Sequence, residues 1–248
     1  MESQNLFAGA LASALLYIAS AITASASTVL ADGTFSSVTV TSSYSANSAS
    51  ITTFAPCTSC GNTGAALKVT VDGTNSIVAG VSDIGFIDNV LSYDPGTQGA
   101  ITSINASYDR LLDPNFSLSV PYNFRLVIEQ GGVYYATAIN TGGTDTGHVW
   151  HNLSVSNLLA ASFSAYNFAT GVTNSALHPD FSGGPILFGV AALVNVGAGQ
   201  TSSAIYDNLS VTVNPTPLPA AISLFASGLS ALGLLGWRRK KKAAALPA

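Results

Sequence analysis

The sequence predicts an all-β protein, an antiparallel two-sheet jelly-roll sandwich, flanked by an N-terminal signal helix and a C-terminal transmembrane helix. Three observations predict it. Short runs of β-branched and aromatic residues alternate with turn formers at nearly regular spacing from residue 27 to residue 213. Between them no helical pattern of about 10 to 15 residues recurs, which argues against a parallel α/β sheet. Charged residues make up only 8% of the 248-residue chain and are replaced by Ser, Thr, Asn and Gly, while an apolar content of 48% is too high for disorder.

The elements follow in chain order. Residues 1–26 read as a signal peptide: 6–22 is rich in Leu, Ala and Ile, and Ala24-Ser25-Ala26 supplies small residues for cleavage before Ser27. The positive start usual for such a segment is missing, because only Glu2 is charged there. Residues 27–213 form the β-sandwich ectodomain, of a size that suits one domain with a sizeable core. Strands are expected at 35–41, 50–54, 66–71, 77–81, 85–93, 100–108, 123–130, 133–140, 149–155, 186–195 and 204–213. Turns lie at Asp72-Gly73, Asp94-Pro95-Gly96, Gly131-Gly132, Gly142-Gly143 and Gly183-Gly184-Pro185. Only 157–163 suits a turn or two of helix. Strands of this number in one domain suggest the jelly roll.

One hairpin is legible in register. The Gly131-Gly132 loop permits the positive φ angles of a type I′ turn, which pairs Gln130 with Val133, Glu129 with Tyr134 and Ile128 with Tyr135. Alternation puts Phe124, Leu126, Ile128, Val133, Tyr135 and Ile139 on the core side. Arg125, Val127, Glu129, Tyr134, Ala136 and Ala138 share the other side. That face is half apolar and sets an aromatic ring beside a carboxylate, so it reads either as a partly covered outer sheet face or as a surface where Tyr134 stacks on a sugar and Glu129 accepts its hydroxyls.

The chain's end carries three spaced parts: a Pro-rich linker at 214–219, an uncharged apolar run at 220–237, and the cationic cluster Arg238-Arg239-Lys240-Lys241-Lys242. A helix over 220–237 is near the lower limit for crossing a hydrocarbon core, and the cations resist translocation, so what precedes Pro219 is expected outside the membrane. The parts together resemble the PEP-CTERM sorting signal of Gram-negative bacteria, over residues 217–242. That resemblance implies a sorting motif at Pro217, Leu218, Pro219, Arg238 and Arg239, an exosortase-type processing protease as partner, and an intermediate held in the cytoplasmic membrane before delivery to the cell surface or extracellular matrix. The family usually has Glu where Leu218 stands. An ordinary C-terminal anchor is the other reading.

The ectodomain holds three basic residues, Lys68, Arg110 and Arg125, against eleven acidic ones, a net charge of −8 that the five cations of the tail and Glu2 bring to −4 for the whole chain. Such a surface repels phosphate backbones, which excludes nucleic acid as a partner. Cys57 and Cys60, the two cysteines, fit a small loop disulfide in an exported protein; they precede a turn-rich loop where a redox CxxC would open a helix. Catalysis finds little support: Glu129 is the one ectodomain glutamate, and Asp83 and Asp88, five apart, point to opposite faces of a regular strand. His148, His151 and Asp145 form the nearest approach to a metal or acid/base cluster. The protein is therefore read as no enzyme and as needing no cofactor, with one candidate structural calcium site at Asp32 and Asp207, which open the first and last strand regions.

The segment Arg125 to Tyr135, His148-Val149-Trp150 with the following Leu158 to Phe163, and the closing Tyr206-Asp207-Asn208-Leu209 strand resemble the concanavalin A-like, laminin-G-like jelly rolls of bacterial surface proteins. Some of those bind carbohydrate or a structural calcium. The expected function is an exported, exosortase-sorted surface or matrix protein with a structural or adhesive role. The alternative is a lectin-like carbohydrate-binding module using Arg125, Glu129, Tyr134 and Trp150 on an extracellular polysaccharide. Ice binding and glycoside hydrolysis are further readings; the first lacks regular Thr-x-Thr ranks and the second lacks paired carboxylates.

Overall fold

The computed structural model describes residues 26–46, 50–75, 78, 80–112, 120–145, 148–216 and 228. The expected signal peptide and the helix at 220–237, with the sorting motif, lie outside the described residues, apart from residues 26 and 228. Among the described residues no helix is long and apolar enough to cross a membrane. Residues Ala26–Pro215 form one compact unit.

That unit is all-β, two antiparallel sheets packed as a sandwich. The strands are β1 (Thr28–Asp32), β2 (Val38–Ala46), β3 (Ser50–Cys57), β4 (Ala66–Asp72), β5 (Gly80–Tyr93), β6 (Ile101–Leu112), β7 (Val120–Phe124), β8 (Leu126–Gln130), β9 (Val133–Thr137), β10 (Asn140–Asp145), β11 (His151–Leu158), β12 (Phe163–Asn167), β13 (Val172–Asn174), β14 (Ile186–Val196) and β15 (Thr201–Pro215). One sheet has the order β11-β6-β15-β4-β3, with β1 also paired to β15. The other runs β13-β12-β9-β8-β14-β5-β2, and β7 and β10 form a separate pair. A helical turn at Pro95–Gln98 is capped by Asp94, whose side chain accepts from Gly96 N.

The hairpin has the register read from sequence: Gln130 opposite Val133, Glu129 opposite Tyr134, Ile128 opposite Tyr135, with Gly131 at φ 61° and Gly132 at φ 82°. Several elements differ from expectation. Gly80 and Val81, from the end of the run at 77–81, belong to the same strand as 85–93, β5. The run at 123–130 breaks at Arg125, so that β7 and β8 pair with different partners. At 157–163 the helix is a single 3-10 turn, Ala160–Ser162, before β12 begins at Phe163. Strands β1, β10, β12 and β13 were not anticipated, being short or rich in polar residues.

The sandwich core lies between the sheets. Leu67, Val69 and Val71 of β4, Tyr206, Leu209, Val211 and Val213 of β15 meet Ile84 and Phe86 of β5, Leu126 and Ile128 of β8, and Phe188, Val190, Ala192 and Val194 of β14. Phe124 joins this core, as the alternation predicts, but Val133 and Ile139 do not: they are 41% and 46% exposed, Val133 at the first position of β9 after the turn and Ile139 in the link between β9 and β10. Strand β14 is apolar on both faces. Its even-numbered residues fill the core, while Leu187 and Ala191 belong to a second apolar cluster with Ile87, Val127, Ala136 and Phe168. That cluster covers the outer face of the seven-stranded sheet.

Candidate functional site

The outer face of the seven-stranded sheet is built by alternation. Asp83, Gly85 and Ile87 point outward from β5 because Ile84 and Phe86 point inward. Val127 and Ala136 do the same on β8 and β9. Gly85 makes room for an aromatic: a Cβ there would stand 2.8 Å from the Phe168 ring. Phe168 in turn meets Tyr166 and Tyr134 edge-on, with centroid separations of 4.7 and 6.0 Å.

Beside this aromatic group lies a buried ion pair. Arg125 occupies the one-residue break between β7 and β8; its N–H donates to the Tyr108 hydroxyl (3.2 Å) and its carbonyl accepts from Ala191 (3.0 Å). Its side chain pairs with Asp83 through Nη1 and Oδ2. The Tyr166 hydroxyl donates to the same Oδ2 at 2.6 Å, and the Arg125 guanidinium lies over the Tyr166 ring, 4.0 Å from its centroid. Asp83 is 2% exposed and Arg125 4%. Burial, the hydrogen bond to Asp83 and the charge of Asp83 push the Tyr166 hydroxyl up to about 12, so it stays a donor. Asp83 Oδ1 and Arg125 Nε are buried without a hydrogen-bond partner.

Two cavities meet at Tyr166. One, of about 800 Å³, is lined by Tyr44, Asp83, Arg125, Ser164, Tyr166 and Thr173, among others. The other, of about 570 Å³, takes in Ser42, Tyr134, Tyr166, Phe168, Thr170 and Asn174. Together they present three partly exposed tyrosine rings, a charge pair whose charges cancel, and hydroxyl and amide groups along the rim.

The structure thus brings Arg125 and Tyr134 to one face. Glu129 reaches that side too, but its Oε1 accepts the Gly132 N–H at 2.6 Å and so closes the hairpin turn. Trp150 is placed elsewhere: it packs, half-buried, on Ala66, Leu111 and Ile205, on strands of the six-stranded sheet, next to Cys60. Asp83, Tyr44, Tyr166 and Phe168 were missed by sequence reasoning. The near-continuous apolar run of β14 was the available signal, since a strand covered on both faces implies that something lies over the outer one.

Cys57 and Cys60 are disulfide-bonded, with Cα atoms 5.7 Å apart. The loop after them is docked by Asp207, which is wholly buried and accepts Asn62 N and Asn208 N, both at 2.7 Å. Asp109, opposite Asp207 on β6, accepts from the amides of Asn62, Asn152 and Asn208 at 3.0, 2.8 and 2.8 Å. Asp207 and Asp32 are the two residues expected as calcium ligands. Both Asp207 oxygens are taken by main-chain N–H groups, and Asp32 meets a different carboxylate, Asp88. Among the described residues no group of three or more His, Cys, Asp or Glu is gathered for a metal. His148 Nδ1 lies 3.1 Å from the Leu112 carbonyl oxygen.

No protein-family profile and no curated protein matches the sequence. Among solved structures, the chain is similar to a family 11 carbohydrate-binding module from Clostridium thermocellum in complex with a β-1,3-1,4-mixed-linked tetrasaccharide (TM-score 0.40, 14% identity, 75% of this chain and 94% of that one). It is also similar to a xylan-binding family 22 module from Paenibacillus barcinonensis (0.32, 12%, 78% and 99%) and to a β-1,2-glucanase from Parabacteroides distasonis (0.37, 14%, 72% and 23%). Likeness at this level names no ligand.

Proposed function

We propose that this protein binds a carbohydrate chain on the outer face of its seven-stranded sheet and performs no chemistry on it. The observation that carries this reading is the groove meeting at Tyr166, with the rings of Tyr44, Tyr134 and Tyr166 around a buried Asp83–Arg125 pair. Tyrosine rings offer flat apolar area to the C–H faces of a pyranose, and fixed polar groups read its hydroxyls. The cancelled charge of the pair, inside a domain of net charge −8, suits a neutral glycan better than a polyanion. Calorimetric titration of soluble neutral polysaccharides into the protein and its Tyr134→Ala and Tyr166→Ala variants tests it. Each variant should weaken binding about tenfold or more, about 1.4 kcal/mol, and a wild-type protein that binds nothing in the panel overturns the reading.

Export and sorting through the tail at 217–242, with a structural or adhesive role at the surface, complete this proposal. The support is the order of Pro-rich linker, apolar run and cationic cluster in the sequence. Intact-mass measurement of the exported protein, with and without an exosortase-type protease in the host, decides it. A C-terminus retained through Ala248 in both hosts would leave the tail as an anchor only.

A further inference from the structure

We infer that the larger of the two cavities at Tyr166 is a subsite for a sugar carrying an acetamido group, an inference that rests on the glycan-binding reading above. Its floor is the Asp83–Arg125 pair. Asp83 is 2% exposed and Arg125 4%, and both line the cavity. The ion pair and the Tyr166 hydroxyl engage Asp83 Oδ2 and Arg125 Nη1. That leaves Asp83 Oδ1, an acceptor, and Arg125 Nε, a donor, without partners. Buried polar atoms in this state cost free energy that a ligand recovers by pairing with them. The floor therefore asks for a group with one donor and one acceptor, neutral overall because the charges of the pair cancel.

The walls narrow the choice. Leu193 on β14 is the register partner of Asp83, and Phe124, Ala136, Ala138, Ile139 and Leu158 continue an apolar lining. The turn between β12 and β13 crosses the outer face of the sheet: Phe168 lies over Gly85, and a Cβ on Gly171 would stand 3.1 Å from the Tyr44 ring. Ser164, Tyr166, Gly171 and Thr173 from that segment also line the cavity, so sheet and hairpin wall it on two sides. Walls of this kind strip water from a bare hydroxyl without replacing it, whereas they suit a methyl group. An acetamido group answers both demands. Its N–H donates to Asp83 Oδ1, its carbonyl accepts from Arg125 Nε, and its methyl packs on the apolar lining. The sugar ring then lies beside Tyr44 and Tyr166.

The test is saturation-transfer NMR and titration of the wild-type protein with methyl glycosides, so that no variant has to fold. The methyl glycosides of N-acetylglucosamine and N-acetylgalactosamine should bind at least about tenfold more tightly than those of glucose and galactose, with the strongest saturation at the acetyl methyl. The 2-O-acetyl ester of methyl glucoside keeps the carbonyl and the methyl but lacks the N–H, and should lose most of that gain. Ala138→Trp, at an exposed position on the wall, should abolish the preference. Equal binding of acetamido and plain glycosides overturns the inference and leaves the glycan reading standing. So does an ester as tight as the amide, because Asp83 then accepts nothing, and so does a preference that survives in Ala138→Trp. Binding of neutral polysaccharides with no response to any acetamido glycoside also overturns the inference alone, and binding of neither overturns both.

Discussion

The guanidinium of Arg125 lies across the ring of Tyr166, 4.0 Å from its centroid, while both side chains reach the same oxygen of Asp83. A cation on an aromatic face and an ion pair beneath it are individually ordinary. Joined on an outer sheet face, they hold the floor of a groove in one shape.

Because the pair is buried, breaking it costs more than removing it. Asp83→Ala leaves an uncompensated guanidinium and should destabilise the domain by about 3–5 kcal/mol in urea unfolding. The double variant Asp83→Leu with Arg125→Met should lose clearly less than the two single losses combined. A purely additive cycle would show that the two side chains do not act as a unit.

Tyr166 has two separable parts. Tyr166→Phe removes the hydroxyl donated to Asp83 and should cost about 1–3 kcal/mol of stability, while leaving the ring for a sugar. Glycan affinity should therefore survive in Tyr166→Phe and fall in Tyr166→Ala. Equal affinity loss in both would place the recognition in the hydroxyl.

Gly189 sits where β14 passes β5, and a Cβ there would stand 1.7 Å from the Phe86 carbonyl oxygen. The paired main chains would have to part. Gly189→Ala should lower stability by about 4 kcal/mol or more, read by chemical denaturation, among the largest effects of any single substitution.

At the hairpin tip the demand is conformational. Gly131 has φ 61°, and no atom lies within 4 Å of its Cβ position. Gly131→Asn, which restores the Asn-Gly pair favoured in type I′ turns, should be neutral or slightly stabilising. Gly131→Val should cost about 1–2 kcal/mol, because a β-branched residue resists the left-handed region. Parallel melting curves distinguish the two.

Acid should loosen the loop that follows the disulfide. Burial opposes ionisation of Asp109, but hydrogen bonds from Asn152, Asn208 and Asn62 hold its carboxyl below the ordinary value of 3.8. A folded-state value below the unfolded one contributes stability that is fully present above 3.8 and is lost as pH falls through the folded value. Asn62→Ala should flatten this acid limb in a stability-versus-pH series, since it removes one of the three donors.

The hairpin was legible because every determinant is local: two glycines permit the turn, and alternation then sets the register and the faces. The break at Arg125 was not, since nothing in residues 123–130 distinguishes a continuous strand from two strands that leave for different partners. Val133 and Ile139 show the same limit. Alternation says which way a side chain points while a strand continues, not where the strand begins or ends: Val133 is the first residue of β9, and β9 stops at Thr137, before Ile139. Trp150 was grouped with Tyr134 by residue type alone, and the sheets separated them.

What the sequence determined by itself was the class of the fold, the acidic domain between two apolar ends, and the one hairpin whose geometry depends on neighbours in the chain. Tertiary structure alone decided the groove. Asp83 and Arg125 are 42 residues apart, and Asp83 and Tyr166 are 83 apart; they meet because β12, β9, β8, β14 and β5 line up in that order. Strand order is a global outcome of burying both sheets at once, so no local pattern can carry it.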